Sequence, residues 1–173
     1  FRLAAPSVLV DLNRIEALAY IEAGRDAVRV GSMTRHRTLE RSADVARDVP
    51  LVTAAMPFVA HMAIRTRGTI GGSLAHADPA AELPAVMLAL DATFTLRSAA
   101  GTREVAAVDF FTGLFSTALE PGELLTAIAI PKRRARAGFA FDEVSRRHPS
   151  PRSATRSSVH DSSRARDQGA RRD

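Results

Sequence analysis

An α+β fold with a mainly antiparallel sheet and flanking helices is predicted by three features of the sequence. Short apolar segments are joined by tight turns, helical spacing of apolar residues appears between them, and no strict βαβ rhythm links the two. Residues 7–12 (SVLVDL), 18–23 (LAYIEA) and 27–32 (AVRVGS) read as strands, the last two joined at Gly24-Arg25-Asp26 as a hairpin. Thr34 is expected to cap a short helix running through Glu40. Residues 51–64 (LVTAAMPFVAHMAI) have the apolar spread of a helix, in which Pro57 predicts a kink or a break and His61 reads as a partly buried helix residue. A further helix is predicted from Asp78 as its cap, with Pro79 at the first helical position and Glu82 in the first turn, where the helix dipole favours a negative charge. Residues 93–98 and 102–107, flanking Ala99-Ala100-Gly101, predict a hairpin, and 123–131 and 138–145 two more strands.

Composition narrows the chemistry. A chain of 173 residues can bury a core of ordinary size, and no apolar run reaches the roughly 20 residues that a membrane-spanning helix needs. Cysteine is absent, which excludes disulfides, cysteine-ligated zinc and iron–sulfur clusters held by this chain, and makes the cytoplasm the expected compartment. The opening FRLAAPSVLV is neither a signal peptide nor a methionine start, so the front of the chain is expected to be cut.

The sequence pI of 11.0 suggests a nucleic-acid binder, yet the charge is uneven. From Phe1 to His148 there are 18 Lys and Arg residues against 16 Asp and Glu. That leaves +2 there, and the remaining +3 lies in residues 149–173, which hold six serines and six arginines, with Val159 as the only large aliphatic residue. Two regions are therefore expected: a folded unit over 1–148 and a disordered Ser/Arg-rich tail over 149–173. The tail reads either as a basic arm that contacts nucleic acid or as a segment with no partner, and its lack of aromatics and of periodicity favours the second.

The richest stretch is Arg65 to Pro84, RTRGTIGGSLAHADPAAELP. Gly68, Gly71 and Gly72 imply backbone that takes an unusual turn or approaches something closely. Successive N–H groups in such a turn, with hydroxyls from Thr69 and Ser73, suit a phosphate or diphosphate; a tight turn with no ligand fits the spacing equally well. Arg65 and Arg67 either meet an anion or are solvated. A Rossmann fingerprint is excluded by the glycine spacing, and a Walker A loop because the only lysine is Lys132. A metal site from His76, Asp78 and Glu82 matches no known spacing, and a Ser73-His76-Asp78 relay lacks the nucleophile elbow.

In this order VDLNRI, VRVGSMTRH, RTRGTIGGSLAHADPAAELPAVMLAL, DFFTGLFSTALEPGELLTAIAIP and FDEVSRR resemble the medium, FAD-binding subunit of molybdenum hydroxylases of the carbon monoxide dehydrogenase type, over roughly residues 6 to 147. The resemblance implies the p-cresol-methylhydroxylase type of FAD-binding domain, here incomplete, with FAD as cofactor. It implies that Thr69, Ile70, Gly71, Gly72 and Ser73 form the second of two glycine-rich segments, their amides and hydroxyls facing the FAD diphosphate. Glu82 falls where the family places an acidic contact to FAD, and Leu125 where an apolar residue lines the flavin pocket. It further implies electron transfer: from a large molybdopterin subunit, through a small iron–sulfur subunit, to this FAD and on to an external acceptor. No side chain is then needed as acid, base or nucleophile, because the flavin carries the redox chemistry.

The sequence also departs from the family pattern. The first segment, Ala-Gly-Gly-x-Ser, precedes a VDLNRI-like stretch in the family and is not found after Phe1, and the family's C-terminal domain gives way at Pro149 to the Ser/Arg text. A shifted reading frame after His148 would produce such an abrupt change, so truncation at both ends is expected. Asp142 stands where xanthine-dehydrogenase relatives have a lysine, and no role is assigned to it. These departures leave two other readings: a basic remnant that binds nucleic acid through its Arg-rich tail, and a fragment without function.

Overall fold

A computed structural model describes residues 7–134, 137–145 and 152–161; for Val144, Ser145 and 152–161 only the backbone is described. Two strands, β1 (Ile21–Ala23) and β2 (Ala27–Gly31), precede six helices: α1 (His36–Arg41), α2 (Ala43–Asp48), α3 (Pro50–Ala55), α4 (Met62–Arg65), α5 (Ile70–His76) and α6 (Glu82–Ala89). The hairpin β3 (Thr93–Ser98) and β4 (Gly101–Ala106) follows, then α7 (Ala107–Phe110), the short pair β5 (Phe111–Gly113) and β6 (Ser116–Thr117), and β7 (Leu124–Pro131). The strands β8 (Ala137–Ser145) and β9 (Arg152–Asp161) form a separate pair beside α3 and α6.

The main sheet is antiparallel throughout, in the order β1-β2-β7-β3-β4, as the α+β reading predicts. One row of opposed side chains crosses all five strands: Ile21, Val30, Ile128, Phe94 and Val105. Directly opposed residues share a face, so this row and its neighbours Val28, Ile130 and Leu96 make one apolar surface. The helices cover it with Leu39, Leu51, Val52, Ile70, Leu74 and Met87, all fully buried. Phe94 is also the hub of an aromatic cluster, its ring edge-on to Phe110 at 4.6 Å and to Phe111 at 5.9 Å.

A bulge adjusts this pattern. Opposite β3 the pairing jumps from Thr95↔Ala127 to Leu96↔Leu125, so Thr126 is the extra residue on β7. The extra residue shifts the phase of alternation and brings both Leu125 and Ile128 to the buried face. Thr126 is tied on both sides: its hydroxyl donates to Thr95 O at 3.1 Å and its carbonyl accepts from Ser32 N at 3.0 Å.

Several expectations are corrected. The strand over 7–12 does not form; Val8, Leu9 and Val10 are exposed and pair with no strand among the described residues, and a strand without a ladder partner has nothing to hold it extended. Thr34 does not cap α1, since its hydroxyl donates to Tyr20 O at 2.9 Å and Arg35 takes the cap position. Asp78 is not a helix cap either: its carboxylate accepts from Ala80 N at 2.9 Å in an Asx turn, and α6 starts only at Glu82. Strand β9, within the tail expected to be disordered, runs antiparallel to β8 over ten residues. A ladder uses main-chain groups that every residue but proline supplies, so composition does not reveal it. The rest of 149–173 lies outside the described residues.

Pro57 does break the expected helix over 51–64, into α3, a 3-10 turn at Met56–Phe58, and α4. His61, expected within that helix, is exposed at the cap position of α4. The break strands carbonyls that Arg65 collects. Its guanidinium donates to Val59 O at 3.0 Å and Ala60 O at 2.8 Å, and pairs with Glu40 at 3.3 Å. A second clamp closes the turn before β7, where Arg103 donates to both Glu123 oxygens at 2.7 Å and to Ala118 O at 2.7 Å. With a further hydrogen bond from Glu120 N, this guanidinium holds the Glu123 carboxyl down to about 2.

Phe94→Ala removes the centre of the five-strand row and of the aromatic cluster. It is expected to destabilise the chain by about 3–5 kcal/mol, read as a lower denaturant midpoint at unchanged slope. Glu123 has a depressed folded-state pKa, so its contribution is present above the ordinary glutamate value of about 4.3 and is lost as pH falls toward 2. Glu123→Gln therefore flattens the acid branch of a melting-temperature profile between those values, and an unchanged branch would refute the clamp.

Candidate functional site in the Thr69–Ser73 turn

The candidate site is built where α5 begins. The chain leaving α4 passes Thr66, Arg67 and Gly68 and pairs with the segment between β2 and α1, Arg35 opposing Thr69 in an isolated antiparallel bridge. The bridge is flanked by His36 N–H to Gly68 O and Ile70 N–H to Thr34 O, both 3.0 Å. Gly71 N–H then donates to Ser32 O at 2.8 Å. Thr69 caps α5, its hydroxyl oxygen accepting from Gly72 N–H at 3.1 Å, while its carbonyl accepts from Ser73 N–H at 3.1 Å.

These bonds correct the expected role of the amides. The N–H groups of Ile70, Gly71, Gly72 and Ser73 are all engaged inside the protein and do not form an open donor cradle. The Gly71 bond requires a close approach to Ser32, where a Cβ would lie 2.5 Å from the serine Cβ and 2.7 Å from its carbonyl oxygen. Gly72 differs. It is exposed, and a Cβ there would meet only Thr69 Oγ1, at 3.0 Å.

What remains for a ligand is the outer side of the turn. Arg35 and Thr69 oppose each other as a non-hydrogen-bonded pair, so the Thr69 N–H points away from the ladder. The Thr69 hydroxyl accepts one bond and keeps its own proton to donate. Ser73 is half-buried, with its hydroxyl 3.0 Å from His36 Nε2. Positive charge stands alongside: Arg35 donates to Asn13 Oδ1 at 2.7 Å and to the Arg67 carbonyl, and Arg67 is exposed. Arg35 also lines a cavity of about 300 Å³ with Asn13, Tyr20, Met33, Thr34 and Thr38. Arg65, by contrast, faces inward in its ion pair with Glu40.

The other predicted residues sit behind the turn. Leu125 is 3% exposed on β7, next to the bulge residue whose carbonyl holds Ser32, and α5 packs against that strand. Glu82 is 2% exposed at the first position of α6, which packs against α5. Asp78 is occupied by its Asx turn, and the His76 ring lies tilted against Phe115, with centroids 5.2 Å apart.

Sequence reasoning missed His36 and Arg35. His36 is 3% exposed, and its pKa is lowered chiefly by burial and further by the Arg65 charge, with the Thr69 backbone pulling the other way. The imidazole is accordingly neutral near pH 7. A polar residue opening a short helix carries no periodic signal, and only the pairing with residues 68–70 brings it under the turn.

Comparison with known proteins identifies the family of the chain. Residues 1–133 match the family described as the FAD binding domain in molybdopterin dehydrogenase. The 6-hydroxypseudooxynicotine dehydrogenase complex subunit alpha of Paenarthrobacter nicotinovorans is 45% identical over 148 residues, 86% of this chain and 50% of that protein. The carbon monoxide dehydrogenase medium chain of Afipia carboxidovorans is 42% identical over 147 residues, 84% of this chain and 51% of that one. Among solved structures, quinoline 2-oxidoreductase from Pseudomonas putida 86 aligns with a TM-score of 0.83 at 42% identity, over 87% of this chain and 52% of the other. The chain thus spans about half the length of the relatives it matches. With the family model matching residues 1–133, and solved relatives aligning over most of the chain at this identity, the chain belongs to the FAD-binding domain family of the molybdopterin dehydrogenases.

Proposed function

We propose that this chain supplies the Thr69–Ser73 face of an FAD site in an electron-transferring subunit. The observation that carries the reading is the exposed Gly72 in a turn whose every neighbour is fixed: a flat patch of backbone, bordered by donors, over which a dinucleotide can lie. The donors are the Thr69 N–H and hydroxyl and the Ser73 hydroxyl, and the Arg35 and Arg67 guanidinium groups favour a diphosphate electrostatically. This set fits the diphosphate of FAD, with side chains and one amide in place of a full amide cradle. Ile70 and Gly71 serve by anchoring the turn, and Glu82 and Leu125 form the wall behind it.

FAD, when bound, accepts an electron pair and releases it to an acceptor. The residues of the chain bind and orient it. Relatives named as a medium chain and as a subunit of a dehydrogenase complex are parts of larger assemblies. On this reading the electrons come from a large molybdopterin subunit by way of a small iron–sulfur subunit and leave for an external acceptor.

Titrating the full chain with FAD, followed by flavin fluorescence, is expected to saturate. Gly72→Ala is expected to weaken binding on the order of tenfold, about 1.4 kcal/mol, with a smaller loss of melting temperature than Gly71→Ala, since within the protein its methyl displaces only the Thr69 hydroxyl that caps α5. Gly71→Ala is expected to lower the melting temperature as well, because its methyl collides with Ser32. Wild-type affinity in a folded Gly72→Ala chain would show that the turn is not the contact face.

A further inference from the structure

Beneath the turn lies a buried contact that the FAD reading does not use. His36 Nε2 stands 3.0 Å from Ser73 Oγ, and this is the serine hydroxyl's only partner among the described residues. The other ring nitrogen, Nδ1, is buried with no hydrogen-bond partner, pressed against Gly68, where a Cβ would lie 2.9 Å from it. Buried N–H groups left without an acceptor are rarer in folded proteins than acceptors left short of a donor, so the partnerless nitrogen is the one assigned the lone pair. The proton of the neutral imidazole therefore belongs on Nε2. The Thr69 backbone, whose carbonyl accepts from Ser73 N, also favours a proton on this ring. The neighbouring Arg65, itself paired with Glu40, opposes a second ring proton.

We infer that His36 is a positioning residue: its Nε2–H donates to Ser73 Oγ and so turns the serine hydroxyl into an outward-directed donor for a diphosphate oxygen lying on the turn. With the opposite tautomer the serine proton would point inward at Nε2, and the hydroxyl would offer only lone pairs to an anion. This inference deepens the FAD reading and rests on it. The histidine touches no ligand itself. It fixes the sense of a hydrogen bond one residue away.

Two measurements on the full chain test it. A long-range 15N–1H correlation spectrum of 15N-histidine-labelled protein near pH 7.5, with His36 assigned by comparison with His36→Gln, is expected to show a protonated Nε2 and an unprotonated Nδ1. The reverse tautomer overturns the inference, and because no flavin is present the result is independent of whether the chain binds FAD. In FAD titrations, Ser73→Ala and His36→Phe are each expected to weaken binding by on the order of fivefold to tenfold, and the double variant by no more than either alone. His36→Gln, whose side-chain amide offers an N–H in a similar place, is expected to recover most of the affinity. Additive losses, or no recovery by glutamine in a variant of wild-type melting temperature, overturn the inference. A wild-type chain that does not saturate with FAD overturns the functional reading itself, and the tautomer still decides the assignment of His36.

Discussion

The candidate site depends on one run of main-chain hydrogen bonds. The bulge residue Thr126 holds Ser32 through its carbonyl, and Ser32 in turn holds Gly71. The distances are 3.0 and 2.8 Å, and together they join the centre of the sheet to the first turn of α5. Neither link tolerates much displacement, because Gly71 already sits at contact distance from the serine. Ile70, fully buried beside it, adds a hydrophobic anchor. The turn is thus a rigid extension of the sheet rather than a loose surface loop, which is what a site must be if it is to orient a large planar cofactor.

The parts of this architecture most legible in the sequence are those set by local pattern. The alternation in 93–98 marked β3 because that strand has one buried face, and the turn at Ala99-Ala100-Gly101 marked its hairpin partner β4, which is exposed along most of its length. Pro57 marked a break because its ring cannot continue a helix. The glycine turn was visible as a cluster, and the resemblance of its surroundings to the family supplied the cofactor. What stayed hidden were non-local pairings. That the N–H groups of Ile70 and Gly71 belong to Thr34 and Ser32 depends on bringing residues 36 and 39 positions apart into register, which no local pattern specifies. The burial of Leu125 depends on a bulge, and a bulge is an interruption of the very alternation by which strands are read.

The glycines illustrate why residue type alone does not assign a role. Gly71 and Gly72 are adjacent and were read together as backbone kept bare for a ligand. In the fold their surroundings differ: one is bare so that the protein can close on itself, the other is exposed and leaves its outer surface flat. Thr69 and Ser73 differ in the same manner from free hydroxyl donors, since one is already a helix cap and the other lies against an imidazole. Function at this turn rests on what each group has left to offer after folding has claimed its share.

The interruption at Pro57 has a consequence for how the chain can vary. An unbroken helix would satisfy its own carbonyls, whereas the broken one leaves those of Val59 and Ala60 to a single guanidinium eight residues after the proline. A lysine at that position has neither the planar fork nor the reach to serve two carbonyls and Glu40 at once. Pro57 and Arg65 therefore constitute one heritable unit: a lineage that straightened the helix would be released from keeping the arginine, and one that lost the arginine first would carry two unsatisfied carbonyls until the proline followed.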